Sequence, residues 1–140
     1  MKEFGTTITI HSPPETIWKY LTDAGSYPDW DPGMDRVEGK IAMGEKLNVY
    51  TKLSPDRTFP VKVTEFVPNQ KMTWTGGMPL GLFKGVRTFT LTPKSEGITE
   101  FTTREKFSGL LFPLFSGTIP DLSQSFEDFA SGLKKVSESA

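Results

Sequence analysis

Apolar and polar positions alternate from close to the amino terminus. In Phe4-Gly-Thr-Thr-Ile-Thr-Ile10, residues Phe4, Thr6, Ile8 and Ile10 share one face, the period-two signature of a half-buried β-strand. The period then changes. Ile17, Trp18 and Leu21 recur at helical spacing, and the residues ahead of them carry a start signal. Ser12 is placed to cap the helix, Pro13 to occupy its first position, and Glu15 to complete a capping box. Gly25 predicts the end of this helix. Tyr27-Pro-Asp-Trp-Asp-Pro32 predicts a second, aromatic-bearing turn or short helix.

Six further alternating runs follow, separated by Pro and Gly. They cover Met34–Lys40, the stretch from Gly44 with Leu47, Val49, Thr51 and Leu53 on one face, and Phe59, Val61 and Val63 up to Val67-Pro68-Asn69. Met72 and Trp74 mark the next, then Phe83–Leu91 and Ile98–Phe107. Ser54-Pro-Asp-Arg57 and Pro93-Lys-Ser-Glu-Gly97 read as turns. The pattern predicts a seven-stranded antiparallel meander with one apolar face that needs a cover. The carboxy-terminal segment supplies it: Leu122, Phe126, Phe129, Leu133 and Val136 step by three or four, with Ile119 and Ala130 widening the stripe. Ser123, Glu127, Ser131 and Lys134 fall on its opposite face. Thr118 and Asp121, with Pro120 in the first turn, predict a capping box for this helix.

At 140 residues the chain fits one domain, 1–140, with no repeat, linker or low-complexity tract. Sixteen Lys and Arg against seventeen Asp and Glu leave a net charge of −1, which gives no basis for nucleic-acid binding. With no cysteine there are no disulfides, thiolate nucleophiles or cysteine zinc sites, and His11 is the single imidazole. His11 falls on the polar side of the first strand and reads as a surface residue. The amino terminus has no secretory h-region, and the longest apolar run, Leu110-Leu-Phe-Pro-Leu-Phe115, is too short for stable membrane insertion. A soluble, cytoplasmic protein is expected, of unspecified oligomeric state.

The strand, helix and "Tyr27-Pro-x-Trp30-x-Pro32" corner resemble the opening of the START-like (SRPBCC) superfamily, which includes the polyketide cyclase/dehydrase and lipid-transport proteins and the birch-pollen-allergen fold. Further strings resemble it in order: "Gly39-x4-Gly44", "Phe89-x-Leu91-x-Pro93" and "Arg104-Glu-Lys-Phe-Ser-Gly109". The resemblance spans nearly the whole chain and rests on the ordered set. It implies an α+β helix-grip fold: a seven-stranded curved antiparallel sheet, two short helices and a long C-terminal helix. It also implies a hydrophobic cavity between sheet and helix.

The residues can line such a cavity or simply fill a core. Thr99, Phe101, Thr103, Glu105 and Phe107 share one face of the last strand, and Phe83, Gly85, Arg87, Phe89 and Leu91 one face of its predecessor. With Trp74, Leu122, Phe126 and Phe129 they make a mostly aromatic wall. Arg87 and Glu105 are exceptions, because a charge on an inward face is costly unless paired. Centring the Pro93–Gly97 turn sets Phe89 opposite Phe101 and Arg87 opposite Thr103, with Arg87 and Glu105 diagonal. The pair could orient a ligand, act as acid and base, or be structural. Leu110–Phe115, with Phe112, and Met78–Phe83 could form lids, touch a membrane during lipid exchange, or pack on each other.

Other motifs fail on inspection. Asp29, Asp31 and Asp35 do not make a calcium loop, since Met34 stands where its glycine belongs and Lys40 where its bidentate acid belongs. The two aspartates of the turn, Asp29 and Asp31, are expected to bond backbone amides. Ser131-Gly-Leu-Lys134 lacks the partner motifs of a β-lactamase-type site. No catalytic set, metal site or cofactor fingerprint emerges. The expected function is binding of a hydrophobic or amphipathic small molecule, lipid-like or polyketide-like. The alternatives are a cyclase/dehydrase-type enzyme and an Hsp90-activator-like interaction module.

Overall fold

Seven strands, each antiparallel to its neighbours, form one curved sheet in the order β1-β7-β6-β5-β4-β3-β2. The structure is a computed structural model that describes residues 2–115, 117 and 121–140, without the side chains of Met78, Pro79 and Phe115. The strands are β1 (Lys2–Ile10), β2 (Met34–Glu38), β3 (Lys46–Thr51), β4 (Phe59–Val67), β5 (Lys71–Met78), β6 (Phe83–Ser95) and β7 (Ile98–Ser108). The helices are α1 (Pro14–Leu21), α2 (Tyr27–Trp30), α3 (Phe112–Phe115) and α4 (Ser123–Glu138). A meander runs from β2 to β7 and β1 returns against β7, while α1 and α2 cross from one edge of the sheet to the other. This is the α+β helix-grip architecture that the sequence predicts. None of the described helices is long and apolar enough to cross a membrane.

Helix α4 covers the concave face through Phe126, Phe129, Ala130 and Leu133, all buried. Its polar side is tied to β1. Lys134 Nζ donates to the Thr9 carbonyl at 2.8 Å, and Thr6 Oγ1 to Glu127 Oε1 at 2.9 Å. The His11 amide donates to Glu138 Oε2 at 2.8 Å, next to the end of the helix. The expected Thr118–Asp121 box, with Ile119 and Pro120, falls partly outside the described residues. Within them, Leu122 holds the cap position without a side-chain bond, and the Asp121 carboxylate accepts from the Ser123 amide at 3.0 Å.

Two local expectations are corrected. Ser12 does not cap α1: Pro13 takes the cap position and Pro14 begins the helix. Ser12 is drawn into the interior, where its carbonyl accepts from Thr99 Oγ1 at 2.8 Å and its hydroxyl reaches the Ser137 carbonyl at 3.4 Å. The first helix also stops at Leu21, before Gly25, because Thr22 turns its hydroxyl back onto the Trp18 carbonyl at 2.8 Å. A 3₁₀ turn at Ala24–Ser26 then leads into α2.

The last hairpin differs too. Pro93 is not the start of the turn but pairs with Thr99 inside the ladder, and the reversal is the tight Glu96-Gly97 pair, with Gly97 at φ 71°. The register therefore moves by two residues. Phe89 faces Thr103, Leu91 faces Phe101, and Arg87 lies directly opposite Glu105. A proline is tolerated here beside the irregularity between Pro93 and Ser95, where the ladder is already broken.

Helix α4 contains a glycine in its interior, Gly132, where an exposed helix would favour alanine by about 1 kcal/mol. A Cβ at this position would overlap the carbonyl oxygen of Trp30. The glycine is what lets α4 and α2 touch backbone to backbone. Gly132→Ala is expected to destabilise the protein by about 1–3 kcal/mol despite the gain in helix propensity. Urea denaturation checks this; a variant as stable as the parent would mean that the close approach is not needed.

Candidate functional site

Cross-strand register groups the inward residues into rows across the sheet. Two rows, Phe66-Met72-Phe89-Thr103-Thr6 and Leu91-Phe101-Ile8, pack beneath α1 and α4; Met72, Phe89, Leu91, Phe101 and Thr103 are all buried. The next row is Val63-Trp74-Arg87-Glu105-Phe4. Beyond it comes Val61-Gly76-Gly85-Phe107, in which two glycines face each other across β5 and β6. Neighbours close over both glycines: a Cβ at Gly76 would meet the Pro60 carbonyl oxygen at 2.8 Å, and one at Gly85 would meet Glu105 Oε2 at 3.3 Å. A cavity of about 650 Å³ opens at this end of the sheet.

Its wall joins the sheet to α4. Trp74, Phe83, Arg87, Glu105, Phe107, Leu122, Phe126 and Phe129 all border the space, as the sequence reading expects. Phe89, Phe101 and Thr103 do not. They belong to the filled rows, because the sheet at that end is closed by α1 and α4. Phe112 is half-buried in α3 and is not part of the wall, and the Met78 side chain lies outside the described residues. The opposite wall was not anticipated. It consists of Asp31, which follows α2, of Met34, Val49, Thr51, Phe59 and Val61, which curvature brings round on β2, β3 and β4, and of Leu53 and Arg57 from the connection between β3 and β4. The alternation of Leu47, Val49, Thr51 and Leu53 was the available signal.

Arg87 is held in a cage of rings. Its guanidinium carbon sits 4.3 Å from the Phe126 centroid, 4.6 Å from Phe129 and 5.0 Å from Phe89. Nε donates to Thr103 Oγ1 at 3.2 Å, and Nη2 is sealed off without a hydrogen-bond partner. Ring faces attract a cation, and desolvation strengthens that attraction to about 2 kcal/mol or more. Glu105 stands directly across from Arg87. Among the described residues no ion pair within 4.0 Å joins the two, so the close contact expected between them does not form. The Glu105 carboxylate leans over Gly85 instead: a Cβ there would lie 3.3 Å from Oε2.

Burial pulls the Arg87 guanidinium below its usual proton affinity, opposed by the charges of Glu105, Asp31 and Tyr27. Burial likewise pushes the Glu105 carboxyl above the ordinary carboxylate range, with Arg87 opposing. Asp31 is raised by burial, against the Gly33 amide, which donates to it at 3.0 Å, and against Arg87. Its turn bond to Gly33 is the one expected; its place on the cavity wall is additional. Tyr27, fully buried beside Trp74, is raised by burial as well, and its hydroxyl donates to the Leu21 carbonyl at 2.5 Å.

The two apolar loops meet each other. Leu110 and Leu111 amides donate to the Gly81 and Leu82 carbonyls at 3.1 and 2.7 Å, so the segments pack on each other through their backbones. Leu80, Leu110 and Leu114 nevertheless remain largely exposed. Leu80 adopts φ 60°, a left-handed conformation that costs a branched residue about 1–2 kcal/mol.

The raised Glu105 carboxyl has a consequence for stability. Above its folded-state pKa the group is ionised in a site that disfavours charge; below the unfolded-state pKa, near 4, it carries no such penalty. Its contribution is therefore fully present in acid and lost as pH rises through the raised folded value. Relative to the parent, Glu105→Gln is expected to gain in melting temperature from about pH 4 to neutrality. Thermal melts across that range check it; a difference that is flat or falls with pH would contradict the assignment.

Comparison with known proteins bears on this arrangement. No curated protein matches the chain. Solved structures match it over nearly its full length at low identity. The Helicobacter pylori hypothetical protein jhp0584 has TM-score 0.78 and 12% identity, covering 97% of this chain and 88% of its own. The Zhui aromatase/cyclase from Streptomyces gives 0.76 and 11%, covering 98% and 93%. A START superfamily protein from Mycobacterium smegmatis gives 0.72 and 16%, covering 98% and 97%. At these identities the likeness is one of fold. The family model described as polyketide cyclase/dehydrase and lipid transport matches residues 1–138, and the chain belongs to that START-like family.

Proposed function

We propose that this protein binds a hydrophobic or amphipathic small molecule in the space between α4 and the β3–β7 wall. The observation that carries the reading is the cavity itself, about 650 Å³ and lined mainly by apolar side chains. Ligand pockets have this size and composition, with a few polar groups to fix orientation. Arg87, Glu105, Asp31 and Arg57 are those groups here. Trp74, Phe83, Phe107, Leu122, Phe126 and Phe129 form the apolar contact surface in this reading.

The aligned charges favour a second reading, a cyclase/dehydrase-type enzyme. A carboxyl with raised proton affinity facing a cation across an apolar cavity suits proton transfer, and such a site acts mainly by orienting and desolvating its substrate. Both readings require that the cavity take a guest.

Occupancy is testable through Trp74, which borders the space. A naphthalene-based ligand at saturating concentration is expected to change tryptophan emission. At a concentration 100-fold above its Kd it should add about 2.7 kcal/mol, or roughly 5–10 °C of melting temperature. Phe126→Asp should abolish both responses. If a panel of apolar and aromatic compounds alters neither emission nor melting, the binding reading is wrong.

A further inference from the structure

Away from the cavity, the surface carries a cluster of leucines that packing does not use. Leu80, in the β5–β6 connection, is 91% exposed; Leu110, just after β7, is 79% exposed, and Leu114, in α3, 74%. Backbone bonds from Leu110 to Gly81 and from Leu111 to Leu82 hold the two loops side by side, so the leucines belong to one surface. Leu80 also has φ 60°, a conformation that leucine rarely takes. A solvent-exposed side chain on a strained backbone adds nothing to the fold, and clustered apolar surface of this kind marks an interaction site.

The charges alongside indicate what covers it. On the face of the sheet turned away from α4, Lys84 and Lys106 lie on β6 and β7 at the end from which these loops leave. Lys106 shares its cross-strand row with Val86, Thr75 and Lys62, and Lys62 stands directly opposite Lys46. Like charges set opposite one another weaken a sheet. All four lysines are exposed, and among the described residues none of them joins an ion pair within 4.0 Å. Glu3, opposite Lys106, pairs with Arg104 at 3.7 Å instead. Toward the β6–β7 turn the pattern reverses: Lys71 pairs with Glu65 at 3.2 Å, and Lys94 with Glu100 at 3.7 Å. On this face the unneutralised cations thus gather at the end that carries the leucines.

Aliphatic side chains that project beside a cationic surface fit an anionic partner able to yield around them. A second copy of the chain fits poorly, because a tip-to-tip contact would bring the same lysines together. We infer that this end of the protein docks peripherally on an anionic lipid surface, with Leu80, Leu110 and Leu114 entering the interface and Lys62, Lys84 and Lys106 over the head groups. The contact does not depend on what the cavity binds.

Co-sedimentation with vesicles of phosphatidylcholine, alone or mixed with phosphatidylglycerol, tests this. The protein is expected to bind the anionic vesicles about ten-fold or more tighter than the neutral ones, and to lose that preference in high salt. Lys84→Ala with Lys106→Ala should weaken binding to anionic vesicles about ten-fold or more, since each lysine at such a surface contributes about five-fold. Leu80→Gly suits the positive φ, so it should melt no lower than the parent yet bind the vesicles less tightly. No binding to either vesicle, equal binding to both, or binding unchanged when Leu80→Gly is combined with Leu110→Ser would overturn the inference. So would self-association of the parent that these leucine changes abolish, which would make the cover a second copy.

Discussion

The interior is organised around one row of side chains, Trp74-Arg87-Glu105, that marks where packing stops. On one side of it the sheet carries Met72, Phe89, Leu91 and Phe101 against α1 and α4. On the other side Gly76 faces Gly85 and the cavity opens. A cation at such a boundary loses part of its water and needs other partners. Three phenylalanine rings, two of them from α4, take that part. The same contacts therefore stabilise a half-buried guanidinium and fix α4 over the sheet. Removing Arg87 would loosen the helix as well as empty the site, so the structural and chemical roles of this residue are not separable by deletion alone.

The architecture was readable because burial on one face imposes a strict period on each strand. Seven alternating runs and a stripe at Leu122, Phe126, Phe129 and Leu133 left few other ways to bury the apolar surface. Arg87 and Glu105 stood out for the same reason, as charges in an apolar series. Pairing partners were harder to read. Pro93 looks like a turn residue, and the ladder tolerates it only because the pairing is irregular there, so the expected register was off by two. A shift of two preserves which residues face inward, and the inventory of that face survived while the neighbours changed.

Other features left little trace in the sequence. Ser12 carries every local mark of a helix cap, but tertiary contacts with Thr99 and Ser137 claim it. The second wall of the cavity comes from β2, β3 and β4, which approach the others only because the sheet curls, and alternation along a strand does not report curvature. Hollowness is the least legible property of all. It depends on which side chains the curled sheet and α4 leave facing one another, and the pattern along one strand does not say what stands across the interior.

The contact at Gly132 gives the gripping helix a fixed pivot. Its backbone is pressed against the Trp30 carbonyl with no room to slide or roll at that point, and its last turn is fastened to β1 through Lys134 and to the start of the α1 connection through Glu138. Leu122, Ser125 and Phe126, two turns away, border the empty space. Glu127, beside Phe126, is itself bonded to β1 through Thr6, so the helix is held at both ends of its buried stripe and adjustment to guests of different size falls to the opposite wall from β3 and β4. The gripping helix is the fixed jaw of the site.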